Sequence, residues 1–288
     1  MSRLRVRLAA VLVAVLAVAG ATAPRAEADE NAFGYTYGTE TLMKGKSEYY
    51  FWLTSRVGKG VGHYRAWDNM NEFEHGLTDR LQVAFYLNTS GHDIAGHPTL
   101  PDTSSFGIEG VRTAFKYSLT SPYRHPLGIA LYIEPEFSRR DRVTGAPITE
   151  WAIESKLLVQ KQLFSDRVST ALNLTYEHEW EREEDEGEVE TERESALEVS
   201  AGANYRVSNA WFLGVEGRWH AAYEGSWLNE QEHRAWFLGP TVHWRQRRWW
   251  MTATAQPQVG GYPASAGRRV ALEDYERLEV RVKVGYNF

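Results

Sequence analysis

The chain has 288 residues, 43% hydrophobic and 13% aromatic, with no cysteine and a formal net charge of −6. The acidic balance argues against a nucleic-acid binder, which shows a basic patch, and the lack of cysteine excludes a disulfide-stapled small domain and thiolate chemistry. Eleven Trp, fifteen Tyr and eleven Phe suit either the interfacial girdles of a membrane barrel or a large sugar-binding sandwich.

In chain order, Arg3, Arg5 and Arg7 precede an apolar stretch from about Leu8 to Ala19 and small residues at Ala26-Glu27-Ala28. This is the pattern of a secretory signal peptide cut after Ala28, and the run is shorter than the roughly 20 apolar residues a spanning helix needs. Removing residues 1–28 leaves 28 basic against 37 acidic residues, a net charge of −9. Residues 29–46, "DENAFGYTYGTETLMKGK", form a segment whose Phe33, Tyr35 and Tyr37 would otherwise stand in water. The expectation is that it lies at the periplasmic end or folds into a lumen as a plug.

Residues 47–288 resolve into twelve alternating runs, about 47–55, 63–75, 81–88, 108–118, 127–138, 149–162, 167–179, 190–206, 211–224, 232–244, 248–256 and 275–288. Period-two alternation predicts strands, and most runs reach the roughly 9–11 residues a tilted transmembrane strand requires. The links between them alternate short and long. "GLTDR", "TSPYRHP", "LFSDR", "VSNA" and "RQRR" are short; "VGKGVG", residues 89–106, 139–148, 181–189, "GSWLNEQ" and residues 257–274 are mostly longer. Such asymmetry predicts an all-β fold: an antiparallel up-and-down transmembrane barrel of about twelve strands, both termini periplasmic.

The faces agree. In the third run Leu81, Val83, Phe85 and Leu87 oppose Gln82, Tyr86 and Asn88; in the fifth, Ile129, Leu131, Ile133 and Phe137 oppose Tyr132, Glu134 and Glu136. Charges on an inner face would be costly in a dry sandwich core but are ordinary in a wet or salt-bridged lumen. Two runs fit less well: the first is apolar on both faces, and the second puts Arg65 on the lipid parity.

The chain closes on "RLEVRVKVGYNF", with Leu278, Val280, Val282, Val284, Tyr286 and Phe288 on one face. This ending resembles the C-terminal strand of Gram-negative outer-membrane barrels. The resemblance implies residence in the cell outer membrane, recognition of Tyr286 and Phe288 by the barrel-assembly machinery, and contact with outer-membrane lipid and lipopolysaccharide. "FGYTYGTETLMKGKSEYYFWLTSR" and "EFEHGLTDRLQVAFYL" further resemble segments of porin-like or transporter-like barrels whose residues have no assigned roles, so none is carried over.

Candidate chemistry is sparse. His92, Asp93 and His97 in "GHDIAGHP" could ligate a metal, against which stands a plain solvated loop; no metal or cofactor is expected. The carboxylate run of residues 177–194 could bridge divalent cations or be only a charged loop. His178 sits on the lipid parity, as in outer-membrane lipid hydrolases, but the strand register places no Ser, Asn or Asp beside it, and there is no G-x-S-x-G motif. The reading is therefore not an enzyme. The inner charges, with Glu72, Glu74, Glu134, Glu136, Arg281 and Lys283 as lining candidates, fit a passive porin-like channel or transporter for a small solute. A salt-bridged structural or adhesive barrel with a closed lumen fits them too.

Overall fold

The computed structural model describes residues 32–185 and 188–288; the leader expected at residues 1–28 lies outside them, as do the side chains of residues 183–190. Twelve strands follow in chain order: β1 (Ser47–Val57), β2 (His63–Gly76), β3 (Leu81–Ala95), β4 (Thr103–Thr120), β5 (Gly128–Arg140), β6 (Pro147–Leu163), β7 (Val168–Asp185), β8 (Glu188–Arg206), β9 (Trp211–Glu224), β10 (Glu230–Gln246), β11 (Trp249–Tyr262) and β12 (Leu278–Asn287). Each pairs antiparallel with its chain neighbours, and β1 pairs with β12 from Glu48↔Asn287 to Val57↔Leu278, closing the barrel. Closure removes the free edges that an open sheet would leave unpaired.

The lipid face is read directly from exposure. Phe85 (54%), Leu131 (49%), Leu172 (46%) and Leu213 (49%) stand out from four different strands, while their chain neighbours Tyr86, Tyr132, Asn173 and, across β9, Glu216 are buried. An apolar belt running round a closed sheet far exceeds the few hundred Å² patches that water-soluble monomers tolerate. Its solvent is the hydrocarbon of a membrane.

The strands outrun their predicted ends, chiefly at one rim. β3 continues to Ala95 and β4 begins at Thr103, so most of the loop expected at residues 89–106 is paired sheet, and β11 runs on to Tyr262. The acidic stretch expected as a loop at 181–189 is the end of a hairpin in which Asp185 pairs with Glu188. Only the connection 263–277 remains long. The reason is physical: above the membrane both faces of a strand meet water, so the apolar alternation that marks a strand stops before the hydrogen-bonded ladder does. The short turns, with Ser47 and Asn287, share the opposite rim, the periplasmic one in barrels of this kind.

The two awkward runs also resolve. Tyr50 and Trp52 of β1 point inward and pack with Trp250 of β11, so the second apolar face of β1 is a lumen-side aromatic cluster. Arg65 lies at the start of β2, paired in register with Val57 and Asp93, at the overhanging rim where an outward charge meets water or headgroups.

Candidate functional site

The lumen is the site, and its first feature is what fills it. A twelve-stranded wall is wider than its own side chains can pack, since about eight strands give a filled interior. Residues 33–43, which belong to no strand, run through that space, largely buried from Phe33 to Thr39 and reaching the short-turn rim at Thr41 to Met43, where Thr41 bonds Asp79 O. The carboxylate of Glu216 (β9) accepts the backbone N–H groups of Gly34 at 3.1 Å, Tyr35 at 2.7 Å and also Thr36. Asn173 (β7) accepts from Tyr37 N at 2.6 Å and donates to Tyr37 O at 3.0 Å; Gln160 (β6) accepts from Thr39 N at 2.7 Å, and Gln82 (β3) from Leu42 N at 2.8 Å. An irregular backbone inside a barrel must find such partners, because buried N–H groups left unpaired are costly.

Aromatic rings of the segment are held by cations and by one another. The Tyr35 ring lies between the guanidinium groups of Arg218 (3.6 Å) and Arg281 (3.8 Å), a cation–π clamp. Burial pushes the Tyr35 hydroxyl well above its usual range, so it stays protonated and donates to Glu279 at 2.6 Å. Tyr37 stacks on Tyr132 at 5.5 Å, with Lys156 Nζ 4.9 Å from its centroid. Small residues make room: a Cβ on Gly202 would come within 2.5 Å of the Phe33 ring, and one on Gly34 within 2.2 Å of Thr254 Cγ2.

Nearer the long-loop rim, Arg56 (β1) bonds both oxygens of Asp68 (β2) at 3.0 Å and Glu276, from the β11–β12 connection, at 2.7 Å. It also donates to the Arg142 carbonyl in the β5–β6 loop. One buried guanidinium thus ties two strands and two loops. Burial pushes the Glu276 carboxyl up, but Arg56 and Lys59 outweigh it and hold it below the usual carboxylate range. The remaining wall, β4 to β8, is mainly acidic. Arg112 bonds Glu134 at 3.1 Å and Glu136 at 2.8 Å, and Lys156 pairs with Glu154 at 2.8 Å.

The lining candidates therefore face inward but differ in surroundings. Glu134 and Glu136 share Arg112 on the acidic wall. Arg281 donates to Thr54 Oγ1 at 2.8 Å and to the Gly34 carbonyl at 3.2 Å, so it grips the segment. Lys283 lies 4.6 Å from the Trp52 ring, while Glu72 and Glu74 are buried in the wall, Glu74 accepting from Tyr50 OH at 2.7 Å. Tyr286 packs against Trp249 and Phe288, and Phe288 N bonds Ser47 O at 2.9 Å at the short-turn rim. The roles of Arg56, Asp68 and Glu276 were not legible in the sequence. Inward parity from Tyr50 through Trp52 and Thr54 leads to Arg56, but that residue lies just past the first apolar run, which stops at Ser55.

One possibility raised by the sequence finds no support, and one reading is corrected. His92 and Asp93 are neighbours in a strand and so point to opposite faces: the His92 ring is buried 3.0 Å from the Arg142 carbonyl, Asp93 faces outward 3.1 Å from His63, and His97 accepts the Leu100 N–H at 3.1 Å. These three do not converge. Conversely, the register of β7 and β8 does place a serine beside His178, namely Ser195. The register of the hairpin, which runs on to Asp185↔Glu188, sets that pairing. Ser195 Oγ donates to Gly225 O at 2.7 Å and accepts from Leu228 N, while His178 Nδ1 lies 3.0 Å from Glu194 O. The loop after β9 covers the hydroxyl, and among the described residues neither side chain bonds the other.

The chain is similar to the COG4313 outer membrane channel from Pseudomonas putida F1, at 13% identity and a TM-score of 0.57, over 91% of this chain and 100% of that one. It is also similar to the NanC porin, at 9% identity and a TM-score of 0.50, over 83% and 100% of the two chains. At these identities the likeness speaks for the fold, that of an outer-membrane β-barrel. No curated protein matches the chain. A family of unknown function, DUF6662, matches residues 25–288, and the chain belongs to that family.

Proposed function

We propose that the protein is an outer-membrane channel for passive passage of a small solute, with residues 33–43 as a movable filling of its lumen. The observation that carries this reading is that the space inside the wall is taken by a separate stretch of chain, held through hydrogen bonds and cation–π contacts in polar surroundings. A barrel built only to be rigid could fill itself with its own side chains at a smaller strand number. The passage favours cations, because the β4–β8 wall holds more carboxylates than guanidinium and ammonium groups.

A structural barrel is the second reading, favoured by the buried Arg56–Asp68–Glu276 cluster. Reversal potentials in asymmetric salt separate the two. A barrel lacking residues 29–43 is expected to prefer cations, and Glu134→Gln with Glu136→Gln is expected to reduce that preference by neutralising two wall charges. Unchanged selectivity in the double variant would remove the acidic wall from the path.

A further inference from the structure

The membrane face of β8 to β11 carries a groove of about 540 Å³. Its floor is Ala201, Ala203 and Gly217, and its sides are Trp219, Trp236 and Leu238. All six have the outward parity of their strands: Trp219 pairs with Trp236, and Ala201 with Gly217. Small residues between large ones make a slot suited to a hydrocarbon chain.

At its long-loop end stands a cation. Arg234 is two residues nearer that rim than Trp236 and pairs with Ala221, again on the outer side. Its guanidinium carbon lies 5.5 Å from the Trp236 centroid and 5.2 Å from that of Tyr262, and its Nη1 donates to Gln231 Oε1. Its Nε is buried without a partner among the described residues. Two rings thus restrict the guanidinium, which reduces the entropy lost on binding, and its outer Nη edge, rather than the buried Nε, is the part that can meet a phosphate oxygen.

We propose that this face binds a phosphorylated, acylated glycolipid of the outer leaflet, the lipid A portion of lipopolysaccharide, with a phosphate on Arg234 and an acyl chain in the groove. Apolar slot and cation are arranged along the strands in the order in which such an amphiphile presents its tail and headgroup. The groove lies near mid-height of β9 and β10, and Arg234 stands beyond it toward the long-loop rim, the side that faces the glycolipid leaflet in outer membranes. Free phosphate would use the cation alone, and an alkyl detergent the slot alone.

The test is competition binding of a fluorescent lipid A analogue to the folded protein in detergent. Arg234→Gln is expected to weaken binding roughly ten- to hundredfold, as the loss of a charge-assisted hydrogen bond would. Ala201→Phe, which fills the slot from the lipid side without touching the lumen, is expected to weaken it at least several-fold. Dephosphorylated lipid A is expected to bind wild type and Arg234→Gln alike, while Ala201→Phe still distinguishes the phosphorylated form. Wild-type affinity in both variants, an equal penalty for dephosphorylation in wild type and Arg234→Gln, or equally tight binding of phosphatidylglycerol would overturn the proposal. Heat-modifiable migration of each variant on gels verifies that it is folded.

Discussion

Glu216→Ala is expected to release the lumenal segment. One carboxylate accepts three consecutive backbone N–H groups, from Gly34, Tyr35 and Thr36, and hydrogen bonds to a charged group contribute about 1.5–3 kcal/mol each. Their loss removes a large part of what holds Phe33 to Tyr37 in place, because the cation–π clamp on Tyr35 is worth only about 0.5–2 kcal/mol. The barrel itself keeps its ladder, since Glu216 bonds no other strand through these contacts. The expected result is rapid cleavage within residues 32–43 by an added protease in the variant, with the barrel band intact and the wild type resistant. Equal resistance in the two proteins would show that the segment is held chiefly by its other contacts.

The second large effect is on stability. Arg56 is buried to within 2% and joins Asp68 and Glu276, both also buried. Arg56→Ala removes the one cation bonded to both carboxylates, leaving Asp68 with only Arg142 at 4.0 Å and Glu276 with Lys59 nearby, and breaking a buried ion pair on one side costs about 3–5 kcal/mol. The temperature at which the folded band converts to the unfolded one on gels is expected to fall accordingly. A milder result is expected for the triple change Arg56→Met, Asp68→Asn and Glu276→Gln, because the charges leave together. Loss as severe in the triple variant as in Arg56→Ala would mean that packing of the arginine stem, rather than its charge, holds the rim.

What the sequence disclosed follows from where two solvents meet the same strand. Where lipid lies outside and polar groups inside, alternation is enforced residue by residue, and Phe85 beside Tyr86 or Leu131 beside Tyr132 can be read without coordinates. Above the membrane that constraint lapses, so Thr89 to Ala95 and Glu181 to Asp185 looked like loop although they are paired. Register suffers from the same loss: the turn of the β7–β8 hairpin could not be located within a run of carboxylates, and the Ser195–His178 pairing was missed with it. The plug contacts were beyond reach for another reason. Gly34 and Glu216 are 182 residues apart, and Thr39 and Gln160 are 121 apart; nothing local in "FGYTYGTET" names its partners. Only the need to cover Phe33, Tyr35 and Tyr37 was visible.

The claim at the centre of this account is that a polar passage runs through the wall once residues 33–43 are out of it. Planar-bilayer current through the barrel lacking residues 29–43, compared with the full chain at the same protein density, measures that directly. The account predicts steady steps of conductance from the shortened barrel, larger than any from the full chain by an order of magnitude or more. Folded, membrane-inserted barrels that carry no more current without the segment than with it would contradict the account.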